Sequence, residues 1–200
     1  MACVSLEATQ PHEMADDPNL PVKDEDALQN RNAWFTSSPD PWREIAALDY
    51  EGDRTFASTV NRMVVSAEPA QHAAMEAKLL EALAEPALTE AGRLFVCRML
   101  GLIGTAKCVP AVAPLLADER AAHAARMALD GIADASVDAA YRAALEQTAG
   151  VAKCGLIGSI ARRGDVGAVS ALAAIATNPA ESAEVRAIAA RAVEQLSTRV

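Results

Sequence analysis

Beyond residue 40, apolar residues recur at intervals of three and four, and the intervals predict a succession of helices. In 53–66, Phe56, Val60, Met63 and Val64 fall at i, i+4, i+7 and i+8, one stripe of a helix turned toward a core. A second helix is expected over 69–84, opened by Pro69, with Met75, Leu79, Leu80 and Leu83 inward; "EPALT" interrupts it. A third is expected over 89–103, where Leu94, Phe95, Val96, Cys97, Met99, Leu100, Leu102 and Ile103 leave little polar face, the mark of a helix held between neighbours. Upstream, "SSPDPWREIAAL" offers Asp40 as an N-cap, Pro41 as a first helical residue, and Ile45 and Leu48 as a short apolar face. Val, Ile, Tyr and Thr never fall into strict alternation, so the fold class read here is all-α.

The pattern then repeats. Aligning 100–118, "LGLIGTAKCVPAVAPLLAD", with 160–178, "IARRGDVGAVSALAAIATN", pairs Gly104 with Gly164, Val109 with Val169, Ala111 with Ala171 and Ala113 with Ala173. Thr105 with Asp165, Val112 with Leu172, Leu115 with Ile175 and Asp118 with Asn178 are conservative matches. The glycines are expected to end a helix in the left-handed conformation, and Thr105 and Asp165 to cap the next one. Pro110 belongs to that helix's first turns and Pro114 is expected to kink it. Asp118 and Asn178 then mark a tight turn. A weaker copy runs through "VDAAYRAAL", 137–145, with Asp134 as the cap. The closing helices share apolar couples: Leu100/Ile103, Leu129/Ile132, Ile157/Ile160 and Val193/Leu196.

Helix pairs are therefore expected over about 69–103, 106–132, 135–163 and 166–197. A period near 30–40 residues with two helices per unit is the signature of an α-solenoid, in which no pair buries both faces alone. The last helix reads as a cap, with Val185, Ile188, Ala189, Ala192, Val193 and Leu196 in one stripe and Glu184, Arg191, Glu194 and Gln195 elsewhere.

Composition sharpens this picture in two places. Hydrophobic residues make up 52% of the 200, with alanine the largest share, which favours helices that approach closely. The net charge of −9 is carried by residues 1–53, with twelve Asp/Glu against three Lys/Arg; the remainder balances. Neither part offers the basic surface that phosphate-backbone binding needs, so no nucleic-acid partner is expected. Residues 1–38 have the composition of a disordered acidic tail, apart from Trp34 and Phe35, which are expected to fold back. The organisation read from the chain is thus 1–38 tail, 39–68 leading helices and 69–200 repeats.

Candidate chemistry is sparse. Cys3, Cys97, Cys108 and Cys154 fit no metal or redox spacing and read as small hydrophobes. Reduced thiols and an N-terminus without a basic, apolar leader fit a cytoplasmic location. The most membrane-like stretch, 99–117, is broken by Lys107, Pro110 and Pro114, so no membrane partner is expected. His72 and His123 read as surface or boundary residues, and His12 lies in the tail. No nucleophile elbow is present, "GLIGTAK" lacks the Walker Gly-Lys-Ser/Thr, and no carboxylate pair sits in an apolar helix. No metal, cofactor or catalytic constellation is read from these residues. Lys153, Arg162 and Arg163 form the candidate partner-facing cluster, either lining a site for an acidic partner or simply a solvated helix face.

The G-[T/D]-x-x-x-V-x-x-[V/L] joint, the proline in the first helix and the Asp/Asn turn resemble HEAT repeats, particularly the short bacterial kind grouped with phycobilisome-lyase-like sequences. The resemblance covers about 69–197, with 40–66 as a degenerate leading unit. It implies a right-handed superhelix of antiparallel helix pairs, and a non-enzymatic scaffold presenting an extended surface to a protein or peptide. It also implies alternatives: a bilin lyase-like or other enzyme-accessory protein, a glycosylase of HEAT-like fold, or a segment of a larger repeat protein. Balanced charge and few Trp or Tyr after residue 50 disfavour the glycosylase. His12-Glu13 is similar to one dyad of HEAT-like di-iron hydroxylases, which need several converging. In such families an Arg of the second helix pairs with the turn Asp; Arg126 and Arg191 are the candidates here, while the 149–162 helix offers Cys154.

Overall fold

The structure is a computed structural model that describes residues 40–198. The chain divides into two units, Met1–Trp34 and Phe35–Val200, and all described residues lie in the second. The expectations for the acidic tail, Trp34, Phe35, Cys3 and His12 lie outside the described residues.

Helices and their connecting turns make up those residues, and no strand occurs among them. α1, Pro41–Glu44, continues as a 3-10 turn, Ile45–Ala47; α2 is Thr55–Val65, α3 Pro69–Leu83 and α4 Glu90–Ile103. The next segment is composite: a 3-10 turn Ala106–Cys108, α5 Val109–Val112 and a 3-10 turn Ala113–Ala117. Then follow α6 Ala122–Asp130, α7 Ala135–Ala144, α8 Gly150–Arg163, a 3-10 turn Val166–Ala168, α9 Val169–Thr177 and α10 Ala183–Ser197. The kink expected at Pro114 takes the form of a change from α to 3-10 winding at Ala113. Proline has no N–H to donate and its ring would press on the carbonyl four residues earlier.

Three of the expected caps are made, whereas Asp40, at the N-cap position of α1, makes no side-chain capping hydrogen bond. Thr105 accepts from Lys107 N at 3.3 Å, Asp134 from Ser136 N at 2.8 Å and Asp165 from Gly167 N at 3.1 Å. Thr89 and Ser182 do the same for α4 and α10, and Glu68 with Gln71 forms a reciprocal box on α3. Asp118 Oδ1 and Asn178 Oδ1 close their turns by accepting from Arg120 N and Ala180 N at 2.9 and 3.0 Å.

One expectation about these joints is corrected. Gly164 is left-handed, φ +76°, but Gly104 ends α4 in extended backbone, φ −64° and ψ 148°. Glycine serves there through a close approach: a Cβ at 104 would stand 2.5 Å from the Leu100 carbonyl oxygen and 3.2 Å from Cys108 Sγ.

Packing runs in series. α3 packs on α4, α4 on α6, α6 on α8 and α8 on α10, while α9 covers α10 and the 113–117 turn touches both α6 and α7. The apolar couples sit at these contacts: Leu100, Ile103, Leu129, Ile132, Ile157, Ile160 and Leu196 are buried, and Val193 is half-buried against them. Each fully buried Leu or Ile contributes about 1.5–3 kcal/mol by leaving water. α4 is an interior helix, contacted by 45–47, α2, α3 and α6. Its apolar wrap is not complete, because Leu102 is exposed beside Arg98 and Gly101 on one open strip. Met63 is exposed as well; α2 buries Phe56, Val60 and Val64 and leaves position 63 at the edge of the stripe.

Candidate partner-binding surface

The cluster Lys153, Arg162 and Arg163 is divided by the fold. Lys153 lies near the start of α8, buried and ion-paired with Glu181 in the turn before α10. Arg163 lies at the other end of α8, about 15 Å away at 1.5 Å per residue. It donates from Nε to Asp138 Oδ1 at 2.5 Å and from Nη1 to the carbonyls of Asp130 and Ile132 at 3.2 and 2.8 Å. It thereby satisfies carbonyls left open where α6 ends, with its guanidinium over the Tyr141 ring. Only Arg162 faces solvent, 64% exposed, and it too donates to Asp130 Oδ2 at 2.6 Å. Asp130 also accepts from the Tyr141 hydroxyl, so these groups tie α6, α7 and α8 together at one end.

The expected Arg–Asp ladder takes another register. The turn carboxylate Asp118 pairs with Arg93, 3.4 Å, and Arg191 is exposed on α10. Arg126 instead donates from Nη1 to the Gly155 carbonyl at 3.2 Å and from Nη2 to His123 Nδ1 at 3.2 Å, which fixes Nδ1 as the acceptor. Its Nε is buried with no acceptor among the described residues. A Cβ at Gly155 would meet only the Arg126 guanidinium, the far end of a side chain that can move aside.

The surface left open runs across α4, α6 and α8. Met127 is 49% exposed, Val151 84% and Tyr50, which borders α4, 57%. Two clefts lie between these helices. The α4/α6 cleft, about 240 Å³, is lined by Tyr50, Leu94, Phe95, Arg98, His123, Ala124 and Met127. Arg98 lies over the Phe95 ring, 5.3 Å from its centroid. The α6/α8 cleft, about 540 Å³, is lined by Ala117, Glu119, Ala122, His123, Arg126 and residues 147–152. His123 belongs to both. At the mouth of the second cleft α8 starts without a side-chain cap, on Ala149 and a left-handed Gly150, φ +50°.

Chemically this surface can bind apolar groups flanked by anions. Among the described residues, no group of three or more His, Cys, Asp or Glu is placed to hold a metal ion, and no helix is long and apolar enough to cross a membrane. His72 is half-buried, Nε2 3.3 Å from the Ala67 carbonyl. Cys97 and Cys108 are free and fully buried, and burial pushes both thiols up to about 11. Cys154 is half-buried, its thiol raised by burial and then by Glu184.

Sequence reasoning missed three arrangements. Glu76, 2% exposed in α3, accepts from Thr105 N at 2.7 Å and from its hydroxyl at 2.9 Å. Asp165, the equivalent of Thr105, is held by Arg142 of α7 at 2.6 Å from both carboxylate oxygens. Arg93 and Lys153 each reach the turn before the next closing helix, and here a signal existed. Extending the 100–118/160–178 alignment backward pairs residue 93 with residue 153. No protein-family model, curated protein or solved structure matches this chain.

Proposed function

We propose that this chain is a non-enzymatic scaffold module, HEAT-like in its joints, whose helix pairs continue as a right-handed superhelix and present α4, α6 and α8 to a protein or peptide partner in the cytoplasm. The serial packing of closing helices, each on the next, supports the superhelical reading. The observation that carries the function is the row of uncovered apolar side chains on and beside those helices, Met127, Val151 and the loop residue Tyr50, in and between two clefts. Large apolar groups left in water on adjoining helices mark an interaction surface.

The test is recovery of partners from the native source with tagged full-length chain. Met127→Glu and Val151→Glu are expected to lose the partner, while Ala77→Glu on the exposed side of α3 retains it. Equal recovery by all three chains would overturn the proposal.

A further inference from the structure

Resting on that reading, we propose the chemistry of the partner: an extended acidic segment that sets a large apolar side chain in the α4/α6 cleft and a carboxylate in the α6/α8 cleft. Adjacent packed helices stand about 8–10 Å apart, and a polyproline II chain advances about 3.1 Å per residue with three residues per turn, so residues i and i+3 of such a segment lie on one face at about that spacing.

The apolar half follows from Met127 and Tyr50, both about half in water at the rim of a cleft floored by Phe95 and Leu94. The acidic half follows from the cations. Arg98 has no carboxylate partner among the described residues; its guanidinium lies over Phe95 and in reach of solvent. Arg126 lines the second cleft, its Nη1 and Nη2 on the Gly155 carbonyl and His123 Nδ1 and its Nε below the surface without an acceptor among the described residues; the His123 ring, an acceptor at Nδ1, borders both clefts. A carboxylate arriving there gains charge-assisted hydrogen bonds in a partly desolvated setting. The uncapped start of α8 adds amide hydrogens and the positive end of the helix dipole on the same side.

Glu119, also on the α6/α8 cleft, opposes this arrangement and supplies a control. An arriving carboxylate is repelled by it, so removing its charge strengthens binding. A role for Glu119 in folding alone would not change affinity in that direction.

The probe is a short fluorescein-labelled peptide carrying Phe and, three residues later, Glu, titrated with full-length chain by anisotropy. Matched peptides replace the Glu with Gln or Lys, or the Phe with Ala. The Lys and Ala peptides are each expected to bind about tenfold more weakly than the parent, the Gln peptide in between. Met127→Glu lowers affinity for the parent by about tenfold, and Glu119→Gln raises it two- to threefold, on the scale of a single exposed charge. Arg98→Gln, at an exposed position, halves the preference for Glu over Lys or more, and thermal melts confirm that each variant is folded.

Equal affinity for the Glu and Lys peptides, no binding of any peptide, or full competition by inorganic phosphate would overturn the inference. Phosphate competition would mean that an anion alone suffices. If Met127→Glu abolishes capture of the native partner while no acidic peptide binds, the docking face stands and its assigned chemistry falls. If capture survives Met127→Glu, both fall.

Discussion

The hydroxyl of Tyr141 donates to Asp130 Oδ1 at 2.8 Å, joining a wholly buried ring on α7 to the last residue of α6. Asp130 also accepts from Arg162 and, at 3.3 Å, from the Ser159 hydroxyl on α8. Tyr141→Phe removes one bond from this hub and keeps the ring. A loss of about 1–1.5 kcal/mol in denaturant unfolding is expected. Tyr141→Ala empties a core site as well and is expected to cost about 3–5 kcal/mol.

The buried Lys153 and the half-buried Glu181 form an ion pair linking α8 to the turn before α10. Truncating either one leaves a charge with little water and no partner, so Lys153→Met or Glu181→Ala is expected to destabilise by about 3–5 kcal/mol. The double replacement Lys153→Met with Glu181→Leu is expected to cost less than either single change. A double-mutant cycle in which the two losses simply add would contradict the coupling.

Two glycines inside helices should respond oppositely to a methyl group. At Gly92 a Cβ would stand 2.5 Å from the Ile45 carbonyl oxygen and 2.7 Å from Leu88 Cδ1, so Gly92→Ala is expected to lower the melting temperature. At Gly158 a Cβ meets nothing within 4 Å, and Gly158→Ala is expected to stabilise by about 0.5–1 kcal/mol by restricting the unfolded chain.

The buried thiols give a pH dependence of defined sign. Cys97 and Cys108 titrate at about 11 in the fold against 9.0 ordinarily. Below pH 9 both folded and unfolded chains hold the protons and stability is complete; as pH rises from 9 through 11 the unfolded chain releases them first and stability falls. Cys97→Ala with Cys108→Ala should flatten that decline in urea titrations. In a Cys3→Ser background, a thiol reagent should reach Cys154 before the other two, which react at the rate of opening.

Leu129 is fully buried in α6, between α4 and α8. Leu129→Ala is expected to cost about 2–5 kcal/mol, and Leu129→Asp to abolish the cooperative transition seen by circular dichroism. A melting temperature unmoved by Asp at 129 would mean that this position is not at a seam.

Helix bounds were legible because their causes are local. Pro69, Asp134 and Asp165 act within three residues of themselves, and the structure starts its helices at or next to them. The buried couples were legible for a related reason: aliphatic residues on a helical period have one economical destination. Polar partners were not. Glu76 sits in "HAAMEAKLL" like any surface glutamate, and only the placement of Thr105, 29 residues on, brings it inside. Lys153 and Arg163 read as a surface cluster because adjacency along the chain says nothing of Glu181 and Asp138 across it. Gly104 and Gly164 align in sequence yet differ in backbone, since a glycine can answer either a left-handed turn or a crowded neighbour. Leu102 and Met127 belong to the apolar count, and only the open strip between helices shows that nothing covers them.

From α3 onward, the side-chain ties between layers among the described residues span at most 34 residues, the longest being Gln195 to the Ala161 carbonyl. Each staple therefore fastens a rung only to its neighbour. Pulled from its C-terminal end, such a molecule should yield in steps, α9 and α10 peeling away first while the rungs behind them hold. It should refold by zippering back onto whatever rung remained.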